Sequence, residues 1–438
     1  MPSQSTNRGL RDSGAPMLDI DRGNAGPFCL VFVLVLIVSS CANSPTCGDS
    51  CTTETAPGTS TQAPIQSQPE SPQQPTPEER SATTAEAHKH LQHAVSVADE
   101  STVEAAHRWR ESIRAQAIDP EQPLPDPVRR ALADIEFDPP PESLTRDTHY
   151  WVSNEDHHYL FRPTIDGHGG IYLGVGTDQN YLMGAWAKSP ILLLMDFDEQ
   201  IRNVHHLYGI IFQHVDSPQE FIDQWAQSGV DEIHSWLAKA YDEPRLGELE
   251  NTLDIARQTI HWRLRTTANA YREREIPTFL TDQDQYDFVR DLWKHDRVFP
   301  IRGDLTADTT MVDIAETLRD LDLNLGLMYP SNAEQYFDFT PNYRRNIAIQ
   351  PFDDTSLVLR TRSIRKLGYP EDGDYHYNIH DAQNFADWMK RSRIKNSARL
   401  LLIYNEQSET DGLSFINHEP EHTDPPPEVA DITEDHAP

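Results

Sequence analysis

A chain of 438 residues exceeds one ordinary domain of roughly 100 to 200 residues, and its 70 acidic against 37 basic side chains leave a formal charge of −33. That charge is spread along the sequence, repels phosphate and argues against nucleic acid as a partner. All four cysteines, Cys29, Cys41, Cys47 and Cys51, lie near the N-terminus, which excludes a disulfide framework for the folded part.

The first element is an apolar run, Phe28–Val38, preceded by Arg8, Arg11 and Arg22 and followed by Ser39, Ser40 and Cys41. It falls short of the roughly 18 to 20 residues that span a bilayer and has the length of a signal-peptide core. Val38-Ser39-Ser40-Cys41 resembles a lipobox, in which small residues precede a cysteine that is diacylated before cleavage. The resemblance implies a lipoprotein signal peptide over residues 1–40, starting at Met1 or Met17, and lipidation of Cys41. The protein is then held in the cell envelope by the two or three acyl chains that firm anchoring requires. Ala42 resembles the sorting pattern for the outer membrane, on its periplasmic or surface face. An unlipidated signal peptide and an uncleaved anchor are the alternatives.

Residues 41–84 are rich in Pro, Ser, Thr and Gln and too poor in apolar side chains to repay ordering, so they read as a disordered tether. Residues 85–146 form a helical and proline-rich segment. Leu91, Val95, Ala98, Val103, Ala106, Trp109 and Ile113 recur at three and four residues, and proline spacers follow at Asp119–Pro127 and Asp138–Pro141. His88, His90 and His93 have no acidic or thiol partner spaced to close a metal site.

From Asp147 to Asn405, short apolar runs alternate with helical patterns. The strands expected are Ile171–Val175, Ile191–Met195, Val298–Ile301, Leu323–Met328 and Leu357–Arg360, with Arg399–Tyr404 closing the series. Helices are expected over Asp198–Phe212, after the capping box Ser217-Pro218-Gln219-Glu220, and over Thr309–Leu321. This order predicts an α/β domain with a mostly parallel, Rossmann-like sheet and helices on both faces. Residues 406–438 read as a disordered acidic tail.

In such a sheet ligands bind beyond the carboxyl ends of the strands, near the point where strand order reverses. The residues at those ends are therefore the candidate ligand-binding set: Gly174, Gly176, Asp178 and Asn180 after the first strand, Asp196 and Asp198 after the second, Asp304 after the third, and Ser331, Asn332 and Glu334 after the fourth. Asp178 and Ser331 or Asn332 have capping roles as their structural alternatives. The ordered series of GxG, strand-Asp and Gly303-Asp304 resembles the Rossmann-like S-adenosylmethionine-dependent methyltransferases. That resemblance implies a glycine loop against the cofactor, an acid at Asp196 or Asp198 on the ribose, and Asp304 near the adenine. Tyr172 and Asp178 stand where that family usually has an acid and a third glycine. The runs YLGVGTDQNY, GDLT, SNAEQYF and HYN further resemble uncharacterised bacterial proteins, some of them lipoproteins, described as methyltransferase-like.

His376 and His380 fall in an expected loop, and His205 and His206 lie on the helix after the second strand; hydrogen-bonded structural histidines are expected at both places, and no metal. GxSxG, Walker, HExxH and CxxC patterns are absent, which leaves a hydrolase without a nucleophile. The leading expectation is a lipid-anchored envelope protein whose methyltransferase-like domain binds a ligand or protein partner without methyl transfer, with no cofactor expected. The alternatives are an active methyltransferase using S-adenosylmethionine and a structural or adhesive envelope protein with an empty cleft.

Overall fold

The protein's structure is a computed structural model that describes residues 108, 111–390 and 394–420. The apolar run, Cys41, the tether, the histidines near residue 90 and residues 421–438 lie outside the described residues. Residues 111–117 are helical, and the helix Asp126–Ala133 (α1) follows, with Val128 and Leu132 buried.

The strands are Ile171–Val175 (β1), Leu192–Asp196 (β2), Val298–Arg302 (β3), Leu325–Tyr329 (β4), Leu357–Arg362 (β5), His376–Asp381 (β6), Glu406–Gln407 (β7) and Leu413–Ile416 (β8). They join one sheet in the order β3-β2-β1-β4-β5-β6-β8-β7. The pairs from β3 to β5 are parallel, β6 runs antiparallel to β5, β8 lies parallel to β6, and β7 pairs antiparallel with β8. The mostly parallel sheet expected from the sequence is therefore present, and strand order reverses between β1 and β4.

Both faces of the sheet are buried, which is why its strands read as continuous apolar runs instead of alternating ones. Tyr172, Leu192, Leu194, Leu327 and Tyr329 face one core; Ile171, Leu173, Leu193, Met195 and Met328 face the other. The register shifts between Ile171 and Tyr172, where β1 meets β4. There the backbones of Gly170 and Gly326 approach so closely that a Cβ on Gly170, whose φ is +71°, would sit 2.8 Å from the Gly326 Cα.

The first face is covered by helices Arg162–Ile165 (α2), Gln179–Ala187 (α3), Glu199–His214 (α4), Pro218–Gln224 (α5), Val230–Ala240 (α6), Arg245–Glu273 (α7) and Gln283–Lys294 (α8). Five of these, α4 to α8, fall between β2 and β3. Asp198 caps α4 by accepting from the Gln200 N–H, and Ser217 caps α5 by accepting from the Glu220 N–H, as its capping box predicts. Phe221 and Trp225 point inward. The second face is covered by α1 with Thr310–Asp320 (α9), Pro341–Ala348 (α10), Ala382–Met389 (α11) and Ser397–Tyr404 (α12).

Three expectations are corrected. Arg399–Tyr404 belongs to helix α12, capped by Asn396; a five-residue apolar run reads equally well as a strand or a buried helix face. His376 and His380 sit on β6 instead of a loop. The domain continues past Asn405, because Leu413 and Ile416 are buried on strand β8 inside what reads as an acidic tail.

Candidate functional site

The carboxyl ends of β1 and β4 flank the reversal of strand order, the place where an open sheet of this kind offers a crevice. Here the crevice receives the chain's own segment from Ser153 to His158. Glu155 is fully buried at its centre. Its Oε2 accepts from the Ser153 hydroxyl at 2.9 Å and the Tyr329 hydroxyl at 2.9 Å, and lies 3.5 Å from the His158 Nε2. Its Oε1 accepts from the Ser331 hydroxyl at 2.8 Å and from the Thr361 hydroxyl. Burial pushes this carboxyl up, but the hydrogen bond and charge of His158 and the Thr361 and Ser331 hydroxyls outweigh it and bring it down to about 2. One side chain from before β1 thus ties together the ends of β4 and β5.

A second buried charge holds the same segment from the other side. Arg263, on the inward face of α7, donates Nε to Asp178 Oδ2 at 3.0 Å, Nη2 to the Glu155 carbonyl at 2.6 Å and Nη1 to Asp156. Asp178 also accepts from the Ser153 N–H at 2.8 Å and the Thr177 hydroxyl at 3.1 Å. The capping alternative for Asp178 is not realised, since its side chain accepts no N–H from α3. Arg263 and Asp178 are both buried, at 6% and 1% exposure, which makes the pair costly to leave half-made.

The glycine turn after β1 is filled by the first residues of α3. The Thr177 N–H donates to Gln179 Oε1, and the Val175 carbonyl accepts from both Gln179 Nε2 and Asn180 Nδ2. Asn180 Oδ1 accepts from the Tyr172 hydroxyl at 2.8 Å. A Cβ at Gly174 would overlap Asn180, and one at Gly176, where φ is +93°, would overlap Gln179. The Gly176 carbonyl lies 2.8 Å from His205 Nε2, and His205 Nδ1 lies 3.0 Å from the Tyr181 hydroxyl. Burial drives His205 down to about 4 against the opposing pull of the Gly176 carbonyl and Asp178. The two glycines thus make room for the protein's own amides.

Asp196 ends β2, and its Oδ1 accepts from the Asp198 N–H at 3.0 Å, with the backbone of Phe197 and Gly176 also favouring its charged form. Burial, the largest influence, and the neighbouring Asp198 charge raise it to about 7 against those bonds. Although its carboxylate is packed by protein, the residue keeps some solvent exposure. Asp198 accepts from the Gln200 N–H and lies 2.6 Å from His149 Nδ1.

The remaining predicted positions are scattered. Asp304 closes a turn on the Thr306 N–H and hydroxyl. Ser331, at φ +56°, turns its hydroxyl onto Glu155, and Asn332 donates to Asn154 at 3.0 Å. Neither caps the following turn. Glu334 points away from the crevice into the second core, where its Oε2 is 2.9 Å from Arg360 Nε and its Oε1 accepts from Tyr343. His376 bonds Ser414 and the Gly368 carbonyl, and His380 meets Arg360 and Asn384. Among the described residues no cluster of three metal-ligating side chains occurs.

The residues that the sequence reading passes over are Glu155, Asp156, Arg263, Tyr329, Thr361 and Asp138. Asp138 is 2% exposed and accepts from the N–H groups of Asp304, Thr309 and Thr310. Arg263 leaves a signal: it interrupts the apolar stripe of Ile260, Leu264 and Ala268 on one helix. Glu155 leaves little, since Asn154-Glu155-Asp156-His157-His158 has the composition of a solvated loop.

Residues 150–417 match the family model described as Domain of unknown function (DUF7790), which is more than half of the chain. The chain belongs to the DUF7790 family. The DUF7790 domain starts just before the segment that carries Glu155 and ends just past β8, so the inserted segment and the outer strands are both part of it. No curated protein matches the sequence. Among solved structures, two of the rRNA methyltransferase aviRa from Streptomyces viridochromogenes are similar, at 9% and 10% identity with TM-scores of 0.23 and 0.22; each covers 54% of this chain and 82% of that one.

Proposed function

We propose that this protein is an envelope lipoprotein, anchored by acylated Cys41, whose DUF7790 domain binds a ligand or partner and does not transfer methyl groups. The filling of the glycine turn carries the second half of this reading. A cofactor could reach the Gly174–Gly176 backbone only by displacing Gln179 and Asn180, and with them the bonds to Thr177, Val175 and Tyr172. It would also have to share the switch point with Glu155, whose removal leaves four hydroxyls without their acceptor. The lipobox Val38–Cys41 supports the anchor.

Thermal unfolding of the chain with excess S-adenosylmethionine or S-adenosylhomocysteine tests the first part. A ligand at a hundredfold over Kd adds roughly 2.7 kcal/mol, and each kcal/mol raises the midpoint by about 2 °C at this size. The expected result is no shift with either compound. A rise of several degrees that Asp196→Ala abolishes would overturn the reading. Metabolic labelling with palmitate, present in the wild type and lost in Cys41→Ser, tests the anchor.

A further inference from the structure

The segment Ser153–His157 sits in the crevice as a bound peptide sits in its receptor. It belongs to no strand or helix, and its side chains alternate: Ser153, Glu155 and His157 are buried, while Asn154 and Asp156 are exposed. Side chains from distant parts of the chain hold its backbone. Asp178 accepts the Ser153 N–H at 2.8 Å, Arg263 donates to the Glu155 carbonyl at 2.6 Å, and the Tyr377 hydroxyl, on β6, accepts the His157 N–H at 2.8 Å. The carboxylate that the segment sends inward meets the hydroxyls of Tyr329, Ser331 and Thr361 at the ends of β4 and β5. Main-chain contacts for affinity and a pocket for one inward side chain are the elements of peptide recognition.

We propose that the crevice is a receptor for a glutamate-bearing peptide of a partner protein, and that Ser153–His157 occupies it in cis until the partner displaces it. The inference rests on the reading of the domain as one that binds a ligand or partner. A ligand that merely pushed the segment aside would leave Tyr329, Ser331 and Thr361 without an acceptor, whereas an incoming carboxylate restores each bond. The incoming main chain likewise replaces the Ser153 and His157 N–H groups toward Asp178 and Tyr377, and the Glu155 carbonyl toward Arg263. The connection that carries the segment has slack. Between α1, which ends at Ala133, and α2, which starts at Arg162, the chain forms only the short turns Thr145–Asp147 and His158–Leu160. Irregular connections longer than about 15 residues are uncommon in compact domains and are usually functional. Asp138 fixes the early part, and Glu142, Ser143, Arg146, Asp147 and Thr148 beyond it are exposed, so the segment leaves the crevice without moving either helix. As a cis occupant at high effective concentration, it lowers the apparent affinity for the partner by the fraction of molecules that are open.

The test uses the full-length protein and an N-acetylated peptide with the sequence of residues 151–159, with and without a fluorescein label. Fluorescence anisotropy should show the labelled peptide binding the Glu155→Ala variant, whose own segment no longer supplies the carboxylate, at least about tenfold more tightly than the wild type. A peptide with Ala in place of its glutamate should bind neither protein. A Glu155→Ala variant that melts cooperatively and binds neither peptide, or both equally, overturns the proposal. The wild type supplies a measurement that does not depend on how the variant folds. Its hydrogen exchange over residues 150–158 should quicken when excess unlabelled peptide is added, while β1 and β4 keep their protection. Unchanged exchange over that segment overturns the proposal as well. A wild-type dimer in sedimentation that Glu155→Ala abolishes overturns a separate partner as the source of the peptide. A thermal shift with S-adenosylmethionine that Asp196→Ala abolishes strikes the wider reading of the domain; absence of peptide binding without such a shift strikes the peptide alone.

Discussion

Replacing Glu155 by Gln removes the charge at the centre of the inserted segment while keeping its shape. The wild-type carboxyl is held at about 2 in the fold against an ordinary value of 4.5, and a depressed acid adds stability that is present above the unfolded value and lost as pH falls toward the folded one. The difference of roughly 2.5 units corresponds to about 3 kcal/mol of stability at neutral pH, an order-of-magnitude figure. Glu155→Gln should therefore cost about 3 kcal/mol at pH 7, because Ser153, Tyr329, Ser331 and Thr361 then donate toward an amide that is itself partly a donor. By pH 2.5 most of that difference should be gone, with full convergence only below the folded value of about 2. The assay is urea unfolding at a series of pH values between 7 and 2.5, reading the free energy and its slope. A variant that unfolds at the wild-type urea concentration at pH 7, or that retains the wild-type loss of stability between pH 5 and 2.5, would refute the assignment of Glu155 as the buried anion that seals the crevice.

Asp196 should behave with the opposite sign. Its carboxyl is raised to about 7, so the fold favours the protonated form and loses stability as pH rises from about 4 through 7; discounted for its partial exposure, Asp196→Asn should gain up to about 2 kcal/mol at pH 8 and little at pH 4, measured by the same urea series. Arg263→Met leaves Asp178 buried without its partner and should cost about 3 to 5 kcal/mol, whereas Arg263→Met with Asp178→Leu should recover much of it in a double-mutant cycle. Gly176→Ala should lower the thermal midpoint by several degrees, since φ +93° is strained for an L side chain and the new methyl meets Gln179. Full wild-type stability in Gly176→Ala would show that the turn relaxes freely.

The layered α/β fold and the ends of the inner strands, to within two residues, are legible in the sequence, because burial on both faces makes β1, β2 and β4 continuous apolar runs and because Asp198 and Ser217 mark helix starts through local bonds. The sequence also placed polar residues at the carboxyl ends of four strands, a consequence of chain direction alone. Local pattern did not separate α12 from a strand, since a short apolar run fits both, and it did not see β8 within acidic surroundings, where only pairing with β6 supplies burial for Leu413 and Ile416.

What the candidate site contains follows from long-range packing. Glu155 and Thr361 are 206 residues apart and Arg263 is 85 residues from Asp178, so no spacing rule links them. A charged side chain in a polar stretch reads as solvated until the fold removes its water, and then the same charge must find donors or shift its ionisation. That is the difference between Glu155, which found them, and Asp196, which found too few. The glycines of the turn were legible as glycines, but whether they made space for a cofactor or for Gln179 and Asn180 depended on how α3 packs back onto β1, which is settled by the whole core and not by the motif.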